Sequence, residues 1–374
     1  MSLQIKRALW PVDPIDAMAK TINDLREGRV VAGDCKSDSL PPKWLDFDKY
    51  KRGQELLRDN IFAALFCHAG GLMMLVNIPS IHKPLASTCN SSSLVACFQR
   101  YLQTLIHVRT WYETDIFDEK SEGFRSITHV RCLHRKIAAA MEQQHAGDDK
   151  KIGQRRNSSE DPSKLITDPD VWVSQWDMVV TQFAFLGLMI LYPNTLGFTH
   201  LSRQDKEAVA YCWRCIGYQL GIDDKYNLFT SDDLHTIEEL CQSIKTEVFL
   251  PSLTANWPDG LHMGKLILES IRNIVCGLTY NGFAKFWSEV LGIRYLVRLS
   301  PADWLSYFLI SFAFRTRIFS RKPLRTGLNR LLMHSVDRTS RRSMTIYKDL
   351  CVRDNKGGIQ VPSCPFAAHT LSTG

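Results

Sequence analysis

The sequence predicts an all-α protein, and three observations support that prediction. Apolar residues recur at helical spacing in long segments over most of the chain. Ser300, Pro301 and Asp303 form a clear helix start, with a cap, a proline at the first helical position and an acid in the first turn. No region shows sustained strand alternation bounded by hairpin turns. The fold class is therefore helical throughout.

The composition is that of a globular chain large enough for a sizeable core. The chain has 374 residues, of which 45% are hydrophobic and 23% are charged. These fractions are ordinary for a folded protein and exclude collagenous, disordered and multi-span membrane classes. A chain of this length can bury its core without disulfides or structural metals.

The cysteines and the N-terminus favour a reducing compartment. Eleven cysteines are scattered without the spacing of a secreted disulfide framework. The first residues lack the apolar run of a secretory signal. We therefore expect reduced thiols and a cytoplasmic or cytosol-facing protein that is not secreted.

The net charge of +7 is concentrated near the C-terminus. The segment 315–342 holds nine Lys or Arg residues and one acid, Asp337, so it carries +8 and the rest of the chain sums to −1. Nothing elsewhere supports nucleic-acid binding. An anionic membrane surface or phosphate groups are the expected partners of this segment; a solvated helical face is the alternative.

Helices are expected in order along the chain. Residues 1–45 read as an irregular lead-in with one short helix, and helical signals dominate from Phe47. The run 61–78 is apolar all round, which predicts a buried core helix; a membrane span is the alternative, since 18 residues is near the lower limit. A polar loop is expected at 146–168. Further helices are predicted at 92–112, 125–145, 169–191, 203–220, 231–247, 262–278 and 301–314.

One histidine lies on the apolar face of the helix predicted at 125–145. His134 is seven residues after Ile127 and three before Ile137, within the apolar stripe. Such a histidine is usually a satisfied core residue. The alternative is a ligand, because a neutral imidazole in a dry pocket suits a haem iron. Arg131, one turn earlier, and the neighbouring Arg135 could meet the carboxylates of a cofactor.

The preceding helix carries a polar stripe. Arg100, Gln103, Thr104 and His107 lie at i, i+3, i+4 and i+7, on one face. A polar face normally turns to water. A set that combines a fixed cation, a hydroxyl and an imidazole would also suit a pocket for bound oxygen.

Four short motifs in order resemble one family. They are Arg100-x-x-x-Thr104, Val130-Arg-x-Leu-His134, Ser174-Gln175-x-Asp177-Met-x-x-Thr181-Gln182-x-x-Phe185 and Trp213-Arg-x-Ile-Gly217-Tyr-x-Leu-Gly221-Ile-x-Asp224. This pattern resembles the rubber oxygenase (latex-clearing protein) family and the ER-bound mpaB-type oxygenases. The resemblance covers roughly residues 45 to 300.

The resemblance implies a single large helical domain with a globin-like core around haem b. It divides the chain into the lead-in 1–45, a haem domain 46–300 and a basic helical extension 301–374. It makes His134 the proximal iron ligand. Arg100 and Thr104 match the distal residues that act near oxygen, and the cytosolic face of the ER becomes a candidate location.

Two positions depart from the family pattern. A lysine that closes the sixth coordination site precedes the distal threonine in the family, and here that position is Gln103. His107, one turn away, is a conceivable substitute. The family's upstream glutamate has no match, because 79–94 contains no acid.

Two functions of different classes follow from the resemblance. The first is a haem b oxygenase that uses dioxygen as co-substrate to cleave a C=C bond of an isoprenoid or other small apolar substrate, with Arg100 stabilising negative charge that develops on oxygen. The second is a non-catalytic haem-binding or helical interaction protein that keeps the fold. The sequence does not determine the oligomeric state.

The C-terminal extension begins with an aromatic segment followed by basic residues. The segment 302–314 is too short to span a membrane. Aromatic residues followed by Arg and Lys are typical of an interfacial anchor. The basic residues expected to face an anionic surface are Arg315, Arg317, Arg321, Lys322 and Arg325. An amphipathic helix packed on the domain is the alternative.

Overall fold

The computed structural model describes residues 22–34, 41–88, 93–152, 169, 171–316 and 318–356. Within those ranges every regular element is helical, and the one β-type contact recorded is an isolated bridge between Ala32 and Ser174. The all-α prediction is therefore confirmed. The main helices are α1 Phe47–Asp59, α2 Ile61–Leu75, α3 Pro79–Ser87, α4 Leu94–Glu113, α5 Glu122–Ile152, α6 Gln175–Leu191, α7 Arg203–Gln219, α8 Leu234–Ile244, α9 Pro258–Ile271, α10 Tyr280–Leu291, α11 Pro301–Arg315, α12 Lys322–Arg341 and α13 Ser343–Lys356.

The apolar run 61–78 forms helix α2, which lies in the core. Most of its side chains are buried, and it packs against α6, α9 and α12. Across the described ranges no single helix is long and apolar enough to cross a membrane. Only α2 taken together with α3 passes that test, and the two helices meet at a bend of 97°.

Helix α2 approaches α6 so closely that a glycine is needed between them. A Cβ atom added to Gly71 would lie 1.8 Å from the carbonyl oxygen of Ala184. The obstacle is backbone, so it cannot rotate away. Ala184 belongs to the π-helical turn Phe183–Gly187 inside α6, so this contact also places the side chains of that turn.

We expect Gly71→Ala to destabilise the fold by about 1–3 kcal/mol or more, because the helices must separate to admit the methyl group. Gly327→Ala is the matched control. Gly327 lies inside α12 with nothing within 4 Å of an added Cβ. Its replacement by alanine should therefore raise the free energy of unfolding by roughly 0.5–1 kcal/mol. Urea unfolding curves of the two variants measure the difference, and equal midpoints would contradict the close-approach argument.

Several helices differ from the sequence-based prediction, and α3 and α10 were not among those predicted. Helix α5 continues to Ile152, into the segment 146–168 that was expected to be a loop. The rest of that segment, residues 153–168, lies outside the described residues. Helix α10 was not predicted at all, because Tyr280-Asn-Gly282 looks like a turn. Gly282 is instead where α10 meets α11, since its Cβ would lie 2.6 Å from the carbonyl oxygen of Asp303.

The C-terminal helices pack onto the same core as the rest. The inner face of α11 buries Tyr307, Ile310 and Phe314 in the main hydrophobic cluster. The expectation that Arg325 faces an anionic surface is wrong. Its guanidinium is buried and donates to the carbonyl oxygens of Asp59 and Phe319, at 3.1 and 2.7 Å. Arg317 lies outside the described residues.

Candidate functional site

Helices α4 and α5 bring the two sequence motifs face to face. The helices run in opposite directions: His107 on α4 contacts Ser126 on α5, whereas Arg100, two turns earlier on α4, lies near His134, two turns later on α5. The antiparallel pairing therefore places the Arg100 motif opposite the His134 motif.

His134 is held as a neutral imidazole. Its Nδ1 atom is buried and has no hydrogen-bond partner. Burial, followed by the positive charge of Arg100, lowers the pKa of His134 to about 4. The ring is therefore uncharged at neutral pH, the form in which imidazole binds a metal. Among the described residues no cluster of three or more His, Cys, Asp or Glu could hold a bare metal ion, and a haem iron needs no such cluster.

Arg100 and Thr104 lie on the same stretch of α4. The Arg100 guanidinium donates to the Thr88 hydroxyl at 3.1 Å and to the Leu85 carbonyl at 3.3 Å, which ties α4 to the end of α3. The Thr104 hydroxyl donates to the Arg100 carbonyl at 3.0 Å and forms part of a cavity wall. A fixed cation thus lies near the His134 imidazole, and a hydroxyl follows one turn later on α4.

The other two residues of the polar stripe are placed differently. Gln103 is exposed. His107 Nδ1 is 2.8 Å from the Ser126 hydroxyl, and its ring stacks on His129 at 5.7 Å. Burial and the neighbouring His129 lower the pKa of His107. Its observed contacts are between helices, and its role as a distal ligand stays a prediction.

Arg131, which we expected to meet a carboxylate of a cofactor, forms a buried ion pair with a carboxylate of the protein instead. Its Nε and Nη2 atoms donate to the two carboxylate oxygens of Asp34, at 2.8 and 2.6 Å, and both side chains are more than nine-tenths buried. The partner was missed in the sequence because it lies 97 residues earlier, in a polar stretch without a motif. The pair joins the N-terminal segment to α5 one turn before His134.

The third motif holds that N-terminal segment in place. The Gln175 amide donates to the carbonyl oxygens of Ala32, Gly33 and Gly221, at 2.9–3.1 Å. Asp177 closes a capping box with Ser174 and accepts from Ser80 at 2.8 Å. These residues serve the architecture: they position Asp34, which in turn holds Arg131.

A large apolar cavity lies beside α4. Its volume is about 250 Å³, and its walls come from α2, α4, α6, α9, α10, α11 and α12 with the turn 274–278. Nearly all of the lining is aliphatic or aromatic. The polar exceptions include Thr104, Ser306 and His68. Thr104 thus places one hydroxyl of the polar stripe of α4 in the cavity wall.

His68 is a second buried, neutral histidine. Its Nε2 atom is 3.3 Å from the Tyr112 hydroxyl, and its Nδ1 atom is buried without a partner. The π-helical turn of α6 sets Phe185 against the ring at 5.0 Å, and Trp213 lies at 5.8 Å. Burial lowers the pKa of His68 to about 3. In the sequence, His68 stands out only as the titratable residue within the apolar run 61–78.

The pKa of His68 predicts an acid dependence of stability. The folded pKa is below the unfolded value of about 6.5, so the unfolded chain binds the proton more readily. This contribution is complete above pH 6.5 and is lost progressively down to about pH 3. Between pH 6 and 5 the titration of His68 should lower the free energy of unfolding of the wild-type protein by about 1.4 kcal/mol per pH unit. The variant His68→Gln should lack this part of the pH dependence. Denaturant curves at several pH values measure it; an unchanged slope would contradict a neutral His68.

Comparison with known proteins supports the helical fold but does not identify a reaction or a substrate. No family model and no curated protein sequence matches the chain. The structure of latex clearing protein in the closed state is similar, with a TM-score of 0.53 and 18% sequence identity over 88% of this chain and 81% of that chain. At this identity the similarity establishes a shared helical fold. No comparison supports the mpaB-type part of the expected resemblance.

Proposed function

We propose that this protein is a haem b-dependent oxygenase that acts on a small apolar, isoprenoid-like substrate. The observation that carries the proposal is the meeting of His134 and Arg100 across α4 and α5, with Thr104 leading to an apolar cavity. The fold shared with latex clearing protein supports the same reading. Haem b, when bound, would supply the activation of dioxygen.

The residues of the chain fit their proposed roles by their chemistry. His134 offers a neutral imidazole whose ring is already desolvated, so ligation requires no proton loss at neutral pH. Arg100 is anchored by Thr88 and Leu85 and holds a fixed positive charge suited to a developing oxygen anion. The apolar cavity excludes water and matches a hydrocarbon chain.

The alternative is a protein that binds haem without catalysis. Two observations favour it: Gln103 is exposed where the family places a lysine, and helix α3 contains no acid. Neither Gln103 nor helix α3 then supplies the sixth ligand or the base that the family pattern places there. Imidazole binding to the ferric protein separates open from closed states, because an open site should take imidazole without prior reduction.

The decisive experiment combines spectroscopy with turnover. The purified protein is titrated with hemin, and a Soret band that saturates at one equivalent is expected. Oxygen uptake with a prenylated alcohol, followed by mass spectrometry of carbonyl fragments, then tests catalysis. A Soret band without uptake would assign the non-catalytic function, and no Soret band would overturn both.

A further inference from the structure

The first inference concerns the polar end of the ligand that the cavity accepts. An apolar cavity of roughly 150 Å³ stays dry and takes up benzene, so one of about 250 Å³ has room for a longer molecule. The lining residues include no Lys, Arg, Asp or Glu. The wall therefore offers nothing to neutralise a charged ligand.

His68 gives this wall a hydrogen-bonding atom that the protein leaves unused. A buried polar nitrogen without a partner is destabilising and calls for an explanation. The ring is 8% exposed and fixed by Phe185 and Trp213, and its Nε2 already contacts Tyr112. Nδ1 therefore has no partner in the protein, and a small shift of the cavity wall beside the ring brings it within reach of a ligand.

We infer that the cavity binds an apolar chain with one uncharged oxygen, a hydroxyl or a carbonyl, which hydrogen-bonds to His68 Nδ1. A hydroxyl suits either tautomer of the ring, since it both donates and accepts. A carboxylate is disfavoured, because no cation on the wall repays its desolvation. This inference deepens the proposed function by naming the polar end of substrate or product, and its test needs no haem.

The test compares ligands of one chain length. Calorimetric titration with 1-octanol, octane and octanoate at pH 7.5 should rank the alcohol several-fold above the alkane, with octanoate weakest. In His68→Phe, which keeps a ring of similar size, the preference for alcohol over alkane should vanish. His68→Gln, which restores a polar atom, should recover part of it.

Several outcomes would overturn the inference. They are a preference that persists in His68→Phe, tighter binding of octanoate than of octanol, and no binding of either neutral ligand. Circular dichroism of both variants confirms that they fold. Alcohol binding in a protein that shows no Soret band with hemin would leave this inference standing while the proposed function fails.

A second inference rests on the outer face of α11. Five large side chains at helical spacing form one exposed stripe, with exposed fractions from 43% to 64%: Trp304, Leu305, Phe308, Leu309 and Phe312. The opposite face of the helix is buried in the core. We call this stripe the α11 apolar face. A contiguous apolar face of this kind marks an interaction surface.

Exposed basic residues flank α11 on both sides in the sequence. Arg294 and Arg298 precede the helix, and Arg321 and Lys322 follow it; all four are exposed. The nearest acids are engaged within the protein: Glu289 pairs with Lys285 and Arg315, and Asp303 caps the helix. The charge therefore complements an anionic surface.

The cavity reaches the surface at this same face. Leu309 belongs to the α11 apolar face and also lines the cavity. Cys276 and Gly277, which line the cavity beside it, are exposed as well. A mouth rimmed by apolar side chains would open into lipid when this face is docked.

We propose that the α11 apolar face docks on an anionic membrane surface, so that an apolar ligand passes from lipid into the cavity. Aromatic and aliphatic side chains would enter the headgroup boundary, and the surrounding arginines would contact anionic headgroups. This fixes the membrane contact to α11 and not to the buried helix α2.

Vesicle sedimentation tests the docking. The protein should pellet with vesicles of phosphatidylcholine and phosphatidylserine at low salt, and much less with phosphatidylcholine alone or at high salt. The double variant Phe308→Glu, Phe312→Glu should lose at least tenfold in binding. Val30→Glu is the matched control, since Val30 is equally exposed but lies elsewhere, and it should bind normally.

Three results would overturn the docking. The first is unchanged binding of the double variant. The second is binding that only detergent reverses, which would indicate insertion through α2. The third is a concentration-dependent dimer, measured by light scattering, that the double variant loses, because a second copy of the chain would then cover the face.

Discussion

Replacing His134 with alanine is expected to abolish haem binding, the largest single effect in the protein. The imidazole is neutral and close to Arg100, and its Nδ1 atom is buried without a hydrogen-bond partner. A hemin titration followed at the Soret band should show no saturating site. Far-ultraviolet circular dichroism should be nearly unchanged, because the removed ring makes no hydrogen bond through Nδ1.

The control for this result lies on the same helix. His129 is exposed and stacks on His107, so His129→Ala should bind haem with unchanged affinity. Normal haem loading in His134→Ala would remove the proximal assignment. Loss in His107→Ala of a six-coordinate resting spectrum would make His107 the distal ligand.

Breaking the buried ion pair should produce the largest loss of stability. Asp34→Ala leaves the Arg131 charge buried without its carboxylate, which typically costs about 3–5 kcal/mol. Because Arg131 is one turn from His134, haem affinity should fall as well. Denaturant unfolding and a hemin titration on the same variant measure the two effects.

An exposed pair provides the comparison. Asp232 bonds to Lys49 at 3.2 Å and is largely exposed, so Asp232→Ala should cost only about 0–1 kcal/mol. The double variant Asp34→Leu, Arg131→Met removes both charges and should recover much of the lost stability. A loss no larger than that of Asp232→Ala would show that the pair does not organise this site.

The helical fold and most of the helices could be predicted from the sequence. Capping signals and apolar periodicity are local, so Ser300 and Asp303 located the start of α11 to the residue. Helix α10 was not predicted, and Gly282 shows why a local pattern does not reveal it. In isolation it indicates a turn, whereas in the structure it lets two helices touch.

The family resemblance also named residues that could belong to one site. Thirty residues separate Thr104 from His134, enough for α4 to turn back into α5. The sequence thus determined the candidates for a haem site, with their roles taken from a resemblance. It could not supply their surroundings, since the pKa of His134 depends on burial and on Arg100 in the neighbouring helix.

The remaining features depend on contacts between residues far apart in the chain. Asp34 reaches Arg131 across 97 residues, and the cavity is assembled from segments between Phe62 and Leu332. No local pattern encodes such contacts. The sequence by itself determined an all-α protein with a candidate imidazole site and a basic C-terminal region. Only the tertiary structure decided that Arg325 is buried, that α11 exposes its apolar face and that His68 lines a cavity, because burial is a property of packed helices.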